Sequence, residues 1–308
     1  MNVLVATDGS KYGQWGLNWV ATLPFAKPPR VTALHVLDIY AYRASFLSPR
    51  EIRRIEAHST RTLRKAKQQL ASLKLKGTVR KKQGMIAPVI LKHAPERDGL
   101  LVVGSQGLGA LDRFMFGSVS TKLIQHATCP VLVVKGEAAP LRRITLATDG
   151  SSASAHALEF VLTRFQPNRS TGKGGRMPIH VSVIYVLAPS SLAPITIPWI
   201  KSPKLKEANL KLIDQSVRKL IKAGFTAEPV YQLGNPAEEI MKAAVEHDAD
   251  LIVMGAQGLG AIDRFLFGSV STRVVQQANS AVLVVRSQSK KHRGVLDRFP
   301  GVSSGVIG

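Results

Sequence analysis

The residues best suited to chemistry occur twice. The run Gly104-Ser-Gln-Gly107-Leu-Gly109-Ala-Leu-Asp-Arg-Phe-Met-Phe-Gly117-Ser118-Val-Ser120 returns as Gly255-Ala-Gln-Gly258-Leu-Gly260-Ala-Ile-Asp-Arg-Phe-Leu-Phe-Gly268-Ser269-Val-Ser271, identical at 14 of 17 positions. Its pattern is Gly-x2-Gly-x9-Gly-Ser. Glycines bring backbone close to a ligand and allow positive φ. The closing Gly-Ser-Val-Ser opens a helix, where unpaired N–H groups and the helix dipole favour phosphate oxygens. Ser118, Ser120, Ser269 and Ser271 can add hydroxyl donors. Arg113 and Arg264, inside the spacer, can balance phosphate charge, and Asp112 and Asp263 can pair with those arginines or orient the loop.

The elements that must hold these loops follow from the flanking pattern. Apolar runs Leu100–Val103 and Leu251–Met254 precede the glycines, so each loop follows a buried strand. Other anchors repeat: Val3-Leu-Val-Ala-Thr-Asp-Gly-Ser10 with Ile144-Thr-Leu-Ala-Thr-Asp-Gly-Ser151, and Pro130-Val-Leu-Val-Val134 with Ala281-Val-Leu-Val-Val285. In the first half, strands are expected near 2–7, 31–37, 78–82, 100–104 and 130–134, and helices near 11–23, 50–73, 86–95 and 118–126. Ile52, Ile55, Ser59, Leu63, Ala66, Leu70 and Leu73 predict one buried stripe on helix 50–73 with a basic outer face. Asn235-Pro236 reads as an N-cap with proline in the first turn. Met85-Ile86 starts the matching first-half helix less cleanly. Pro167–Pro178, rich in Gly, Pro and Ser, reads as a surface loop.

Alternating strands and helices, with strands apolar throughout, imply parallel sheets covered on both faces. Such sheets bind ligands beyond the carboxyl ends of their strands. The duplication predicts two domains, 1–138 and 139–288, followed by a basic flexible tail, 289–308.

Among 308 residues, 42 Lys+Arg against 20 Asp+Glu leave a formal charge of +22, distributed +13 over residues 1–138 and +9 over 139–308. Arg50–Lys67 is the densest basic stretch. Positive charge attracts nucleic acid, anionic lipid or phosphorylated ligands, but without aromatic interleaving or a nucleic-acid motif nucleic acid is the less favoured partner. No apolar run reaches the roughly 18–20 residues of a membrane span. A single cysteine, Cys129, and an N-terminus unlike a signal peptide point to the cytoplasm. No P-loop, dinucleotide fingerprint or metal-ligand spacing is present.

With these residues in place, the chain resembles the universal stress protein family, in its ATP-binding branch and as a tandem member. The Ala-Thr-Asp-Gly-Ser starts, the Gly-x2-Gly-x9-Gly-Ser loops and Cys129-Pro-Val-Leu-Val-Val134 carry the likeness. The resemblance implies two Rossmann-like, doubly wound five-stranded sheets in the order 3-2-1-4-5, paired as a pseudo-dimer through their last strands. It implies one ATP site per domain, with Mg-ATP as one form of the ligand. Thr7, Asp8, Thr148 and Asp149 would lie against the nucleoside, and Val36 and Val186 would offer backbone groups to adenine. Gly104, Gly107, Gly117, Ser118, Val119 and Ser120 would hold phosphates in one domain, and Gly255, Gly258, Gly268, Ser269, Val270 and Ser271 in the other. A stress-related binding and regulatory role follows, with further homodimerisation open. A slow ATP hydrolase or phosphotransferase is an alternative, weakened by the lack of an obvious general base. A basic docking surface is another.

Overall fold

The computed structural model describes residues 1–38, 48–107, 116–170, 176–188, 203–257 and 268–286. The first half runs β1 (Asn2–Ala6), α1 (Lys11–Thr22), β2 (Arg30–Leu37), α2 (Pro49–Ser72), β3 (Gly77–Gln83), α3 (Ile86–His93), β4 (Leu100–Gly104), α4 (Ser118–His126) and β5 (Val131–Val134). The second runs β6 (Arg143–Ala147), α5 (Ser152–Arg164), β7 (Asn168–Ser170), β8 (Arg176–Pro178), β9 (His180–Leu187), α6 (Pro203–Lys222), β10 (Thr226–Leu233), α7 (Pro236–Glu246), β11 (Leu251–Gly255), α8 (Ser269–Gln277) and β12 (Ala281–Val285).

Ten strands form one sheet in the order β3-β2-β1-β4-β5-β12-β11-β6-β9-β10. Within each half all neighbours are parallel and follow the expected 3-2-1-4-5 order. The halves join where β5 meets β12 antiparallel, with Leu132 opposite Leu283. This is the expected pseudo-dimer. Every residue of β5 and β12 is at most 4% exposed, and burying a Val or Leu side chain contributes about 1.5–3 kcal/mol. The seam is therefore core, not a contact between two surfaces.

Two apolar layers sandwich the sheet. Leu17 and Val20 of α1, Ala66 and Leu70 of α2, Val161 of α5 and Ile213 of α6 pack on one face. Ile90 of α3, Leu123 of α4, Ile240 of α7 and Val274 of α8 pack on the other. A backbone bridge between Phe25 and Phe165, flanked by Ala26 N–H donating to Arg164 O, adds a second tie between the halves.

Local signals held in most places. Asn235 Oδ1 accepts from Ala237 N–H at 3.1 Å and Pro236 opens α7, whereas Met85 gives α3 no side-chain cap. Two readings change. On α2 the buried positions are Ser59, Thr62, Ala66 and Leu70, while Ile52 is 38% exposed. A stripe at 3.6 residues per turn drifts against mixed three- and four-residue steps, and Thr62 turns inward in place of Leu63. The stretch 167–178 also contains the antiparallel pair β7–β8. Short strands flanking a Gly-rich run can pair as a hairpin, which the loop composition alone did not signal. The basic tail 289–308 lies outside the described residues.

Candidate functional site

β1 and β4 are neighbours, Val5 opposite Val102. The Thr7-Asp8-Gly9-Ser10 turn and the glycine loop therefore leave the sheet side by side at the carboxyl ends of the strands. Gly9, at φ +88°, makes a turn that L side chains rarely adopt. Ser10 N–H donates to Asp8 Oδ1 at 2.9 Å, and Ser10 Oγ caps α1 by accepting from Gly13 N–H. This is an Asx turn running into a helix cap, with the second Asp8 oxygen directed elsewhere. A Cβ on Gly107 would stand 2.9 Å from that Asp8 Oδ2, so the loop backbone lies directly on the carboxylate. Gly104 is equally constrained, its Cβ position only 2.6 Å from Tyr12 Cβ of α1.

The loop is pinned at both described ends. Gly117 N–H donates to Ser105 O at 2.8 Å, and Ser120 Oγ donates to Gly104 O. Tyr12 Oη donates to Gln106 Oε1 at 2.7 Å. Ser120 is buried and spends its proton on the loop, while Ser118 is exposed and Val119 half-buried. The N-cap of α4 is Gly117, with no side-chain cap, so the first-turn N–H groups are not capped from within their own helix end.

The second half repeats the plan. Ser151 N–H donates to Asp149 Oδ1 at 3.0 Å, with Gly150 at φ +81°. Gly268 N–H donates to Ala256 O at 2.9 Å, Ser271 Oγ donates to Gly255 O, and Gly268 caps α8 without a side chain. Ser269 is exposed and Val270 half-buried, as at the first site. A Cβ on Gly255 would meet Ser154 N at 2.8 Å. Ser151 Oγ donates to Gln257 O, a tie that replaces Tyr12–Gln106.

Strand parity bears on Val36 and Val186. Thr7 N–H donates to Leu34 O and Thr148 N–H to Ile184 O, just past the last pairings of β1 and β6. Two residues further along a strand the backbone groups point the same way. Those of Val36 and Val186 thus face the space beyond the ends of β1 and β6. The structure brings together Thr7, Asp8, Gly104, Gly107, Gly117 and Ser120 in one half, and Thr148, Asp149, Gly255, Gly268 and Ser271 in the other. Arg113, Gly258 and Arg264, with Asp112 and Asp263, lie outside the described residues.

The halves differ behind the aspartate turn. His35, buried in β2, has Nδ1 2.9 Å from Thr7 O. A carbonyl only accepts, so Nδ1 carries the proton of the neutral ring. Burial lowers the pKa of His35, helped by His58 and Lys81 and opposed by the Thr7 bond and Asp8. His58 of α2 contacts Asp8 O through Nε2 at 2.9 Å. Two imidazoles thus hold consecutive carbonyls of the turn. In the second half Tyr185 matches His35, and Leu212 Cδ2 packs on Gly150. His58 was not singled out from the sequence. Only its four-residue spacing to Thr62, which it touches, could have marked it. Cys129 is fully buried, and burial pushes its thiol pKa up to about 12, which leaves it inert as a nucleophile.

A family model described as the universal stress protein family matches residues 1–135 and again 140–286. The chain belongs to the universal stress protein family, with two such domains in tandem. A universal stress protein of Mycolicibacterium smegmatis is 26% identical over 307 residues, covering 92% of this chain and 96% of that protein. Universal stress protein YxiE of Bacillus subtilis is 31% identical over 150 residues, 47% of this chain and 98% of its own length. The crystal structure of a universal stress protein from Archaeoglobus fulgidus has the same fold, with a TM-score of 0.68 at 19% identity, over 94% of this chain and 97% of that one.

Proposed function

We propose that each domain binds one molecule of ATP, as Mg-ATP, and that the protein acts by binding and signalling nucleotide, in the cytoplasm, rather than by turnover. One observation carries the reading: in both halves an aspartate turn and the start of a glycine loop meet at the carboxyl edge of the sheet. There Gly107 backbone lies on Asp8 Oδ2, beside a helix start with no side-chain cap. Such a cradle fits a nucleotide. Asp8 and Asp149 accept from ribose hydroxyls, and the backbone of Val36 and Val186 reads adenine. The N–H groups of Ser118–Ser120 and Ser269–Ser271 take phosphate oxygens. Gly107 and Gly258 admit the phosphate chain, with Arg113 and Arg264 as counter-charges.

Calorimetric titration of nucleotide-free protein with Mg-ATP, with ADP and GTP as comparisons, is expected to show two equivalents of ATP and exclusion of GTP. A Cβ at Gly117 or Gly268 meets backbone no closer than 3.3 Å. Gly117→Val combined with Gly268→Val should therefore keep the fold by circular dichroism while abolishing binding, and either change alone should leave one equivalent. Unchanged affinity in the folded double variant would overturn the reading.

A further inference from the structure

The charge of this molecule is far from evenly placed. Residues 49–83, which form α2 and β3, carry 12 Lys+Arg and 2 Asp+Glu, a net +10 of the total +22. The matching unit of the second half, residues 203–233, carries 6 and 3, a net +3. All twelve cations in 49–83 are exposed. None takes part in an ion pair among the described residues.

Their arrangement is regular. At 100° per residue, Arg50, Arg53, Arg54, Arg61, Arg64 and Lys65 fall within an arc of about 120°. That arc lies opposite the buried stripe of Ser59, Thr62, Ala66 and Leu70. With 24 residues, α2 is about 36 Å long, close to one turn of a nucleic-acid duplex at about 34 Å. β3 then forms the outer edge of the sheet, paired only with β2. Alternation sends Lys81 toward the α2 face and Arg80 and Lys82 toward the other, so positive charge wraps the edge. On that second face a cleft of about 620 Å³ is lined by Arg30, Lys76, Arg80 and His93. Its walls include Asn2, Arg30 and Gly77, at the amino ends of β1–β3. It therefore lies at the end of the sheet opposite the aspartate turn and glycine loop.

We propose that this edge of the first domain binds the phosphate backbone of double-helical nucleic acid without reading its sequence. The chemistry favours this partner over the others that positive charge attracts. A protein interface has an apolar, aromatic-rich centre, whereas the apolar side of α2 is already spent on the sheet. A membrane-surface helix needs that same apolar side free. What remains is a line of unpaired cations, half of them arginine, spaced for repeated phosphate contacts. The absence of aromatic interleaving, which argues against base recognition, is what a backbone-only contact requires. The cleft stands at the end of the sheet opposite the nucleotide site, while α2, whose His58 contacts Asp8 O, and Lys82, paired with Val36, run alongside that site.

A protein of charge +22 binds any polyanion weakly, so the test must locate the site. Fluorescence anisotropy with a labelled 24-base-pair DNA duplex and an RNA duplex of the same length would be run from about 50 to 200 mM salt. Two full-length variants of equal charge change are compared, Arg61→Glu/Arg64→Glu/Arg80→Glu and Arg218→Glu/Lys219→Glu/Lys222→Glu. The first is expected to weaken binding at least tenfold and flatten the salt dependence by about two or more log units per log unit. The second should weaken it no more than about twofold. A glutamine series at the same first-domain positions should show an intermediate loss, and thermal melts confirm folding. Equal losses in both variants, or no duplex binding at low salt, would overturn the proposal. So would capture by phosphatidylserine vesicles that duplex fails to compete away. A preference between the two duplexes identifies which nucleic acid the edge takes.

Discussion

At the scale of single residues, the two sites are the same design with different backing. Asp8 and Asp149 each accept from the serine two residues on, and Gly107 lays its loop across the Asp8 turn. Behind Asp8, however, stand His35 and His58, where the second domain has Tyr185 and Leu212. His35 is buried with its pKa lowered below 6.5, and its Nε2 has no partner among the described residues. Above pH 6.5 neither the folded nor the unfolded chain protonates this ring, and its contribution to stability is complete. As pH falls below 6.5 the unfolded chain takes up the proton first. Stability then drains away until the lowered folded value is reached. The wild type is therefore expected to lose more stability between pH 7.5 and 5.5 than His35→Phe, by up to about 1 kcal/mol. Urea melts at the two pH values measure this. Equal losses would show that His35 takes up its proton without strain.

At the scale of elements, the helices that open at the two glycine loops close against the opposite domain. Arg286, just past β12, donates to Ile124 O at 2.7 Å and to Gln125 O at the end of α4. Lys135, just past β5, donates to Gln276 O at the end of α8 and lies over the Phe116 ring beside the first loop. Cations at a helix C-terminus complement its dipole. Here each is supplied by the other half, in pseudo-symmetric positions. The pair Lys135→Met with Arg286→Met should destabilise the whole chain by about 1–3 kcal/mol, the sum of lost charged hydrogen bonds and dipole contacts. Denaturant unfolding reads this. A loss confined to one domain, seen as a split transition, would mean that the caps do not tie the halves together.

At the scale of the molecule, the antiparallel β5–β12 seam turns two sheets into one of ten strands. A strand with its pairing partner removed presents a row of open hydrogen-bonding groups. A fragment ending at residue 138 would expose the β5 edge, with Leu132 and Val133 fully buried in the intact chain. It should pair with a second copy of itself in place of the missing domain. Analytical ultracentrifugation is expected to show a dimer. A stable monomer would mean that the edge is protected within one domain, and that the seam adds little to folding.

Much of this was legible before any coordinates. The duplicated loop, the paired Ala-Thr-Asp-Gly-Ser starts and the apolar runs specify two parallel α/β units, because those signals are local: period, turn chemistry and helix starts. The Asn235-Pro236 cap formed as its residue types require, for the same reason. What only the tertiary structure decided depends on residues far apart in the chain. The contact of Gly107 with Asp8, the two imidazoles on the aspartate turn, and the exchange of Lys135 and Arg286 between helix ends all join segments separated by 28 to 162 positions. No period or motif encodes such contacts, since they arise from how the sheet orders its strands. The same holds for the basic edge. Its charges are plain in the sequence, yet only packing sets α2 and β3 side by side at the rim and leaves all twelve cations of residues 49–83 in solvent.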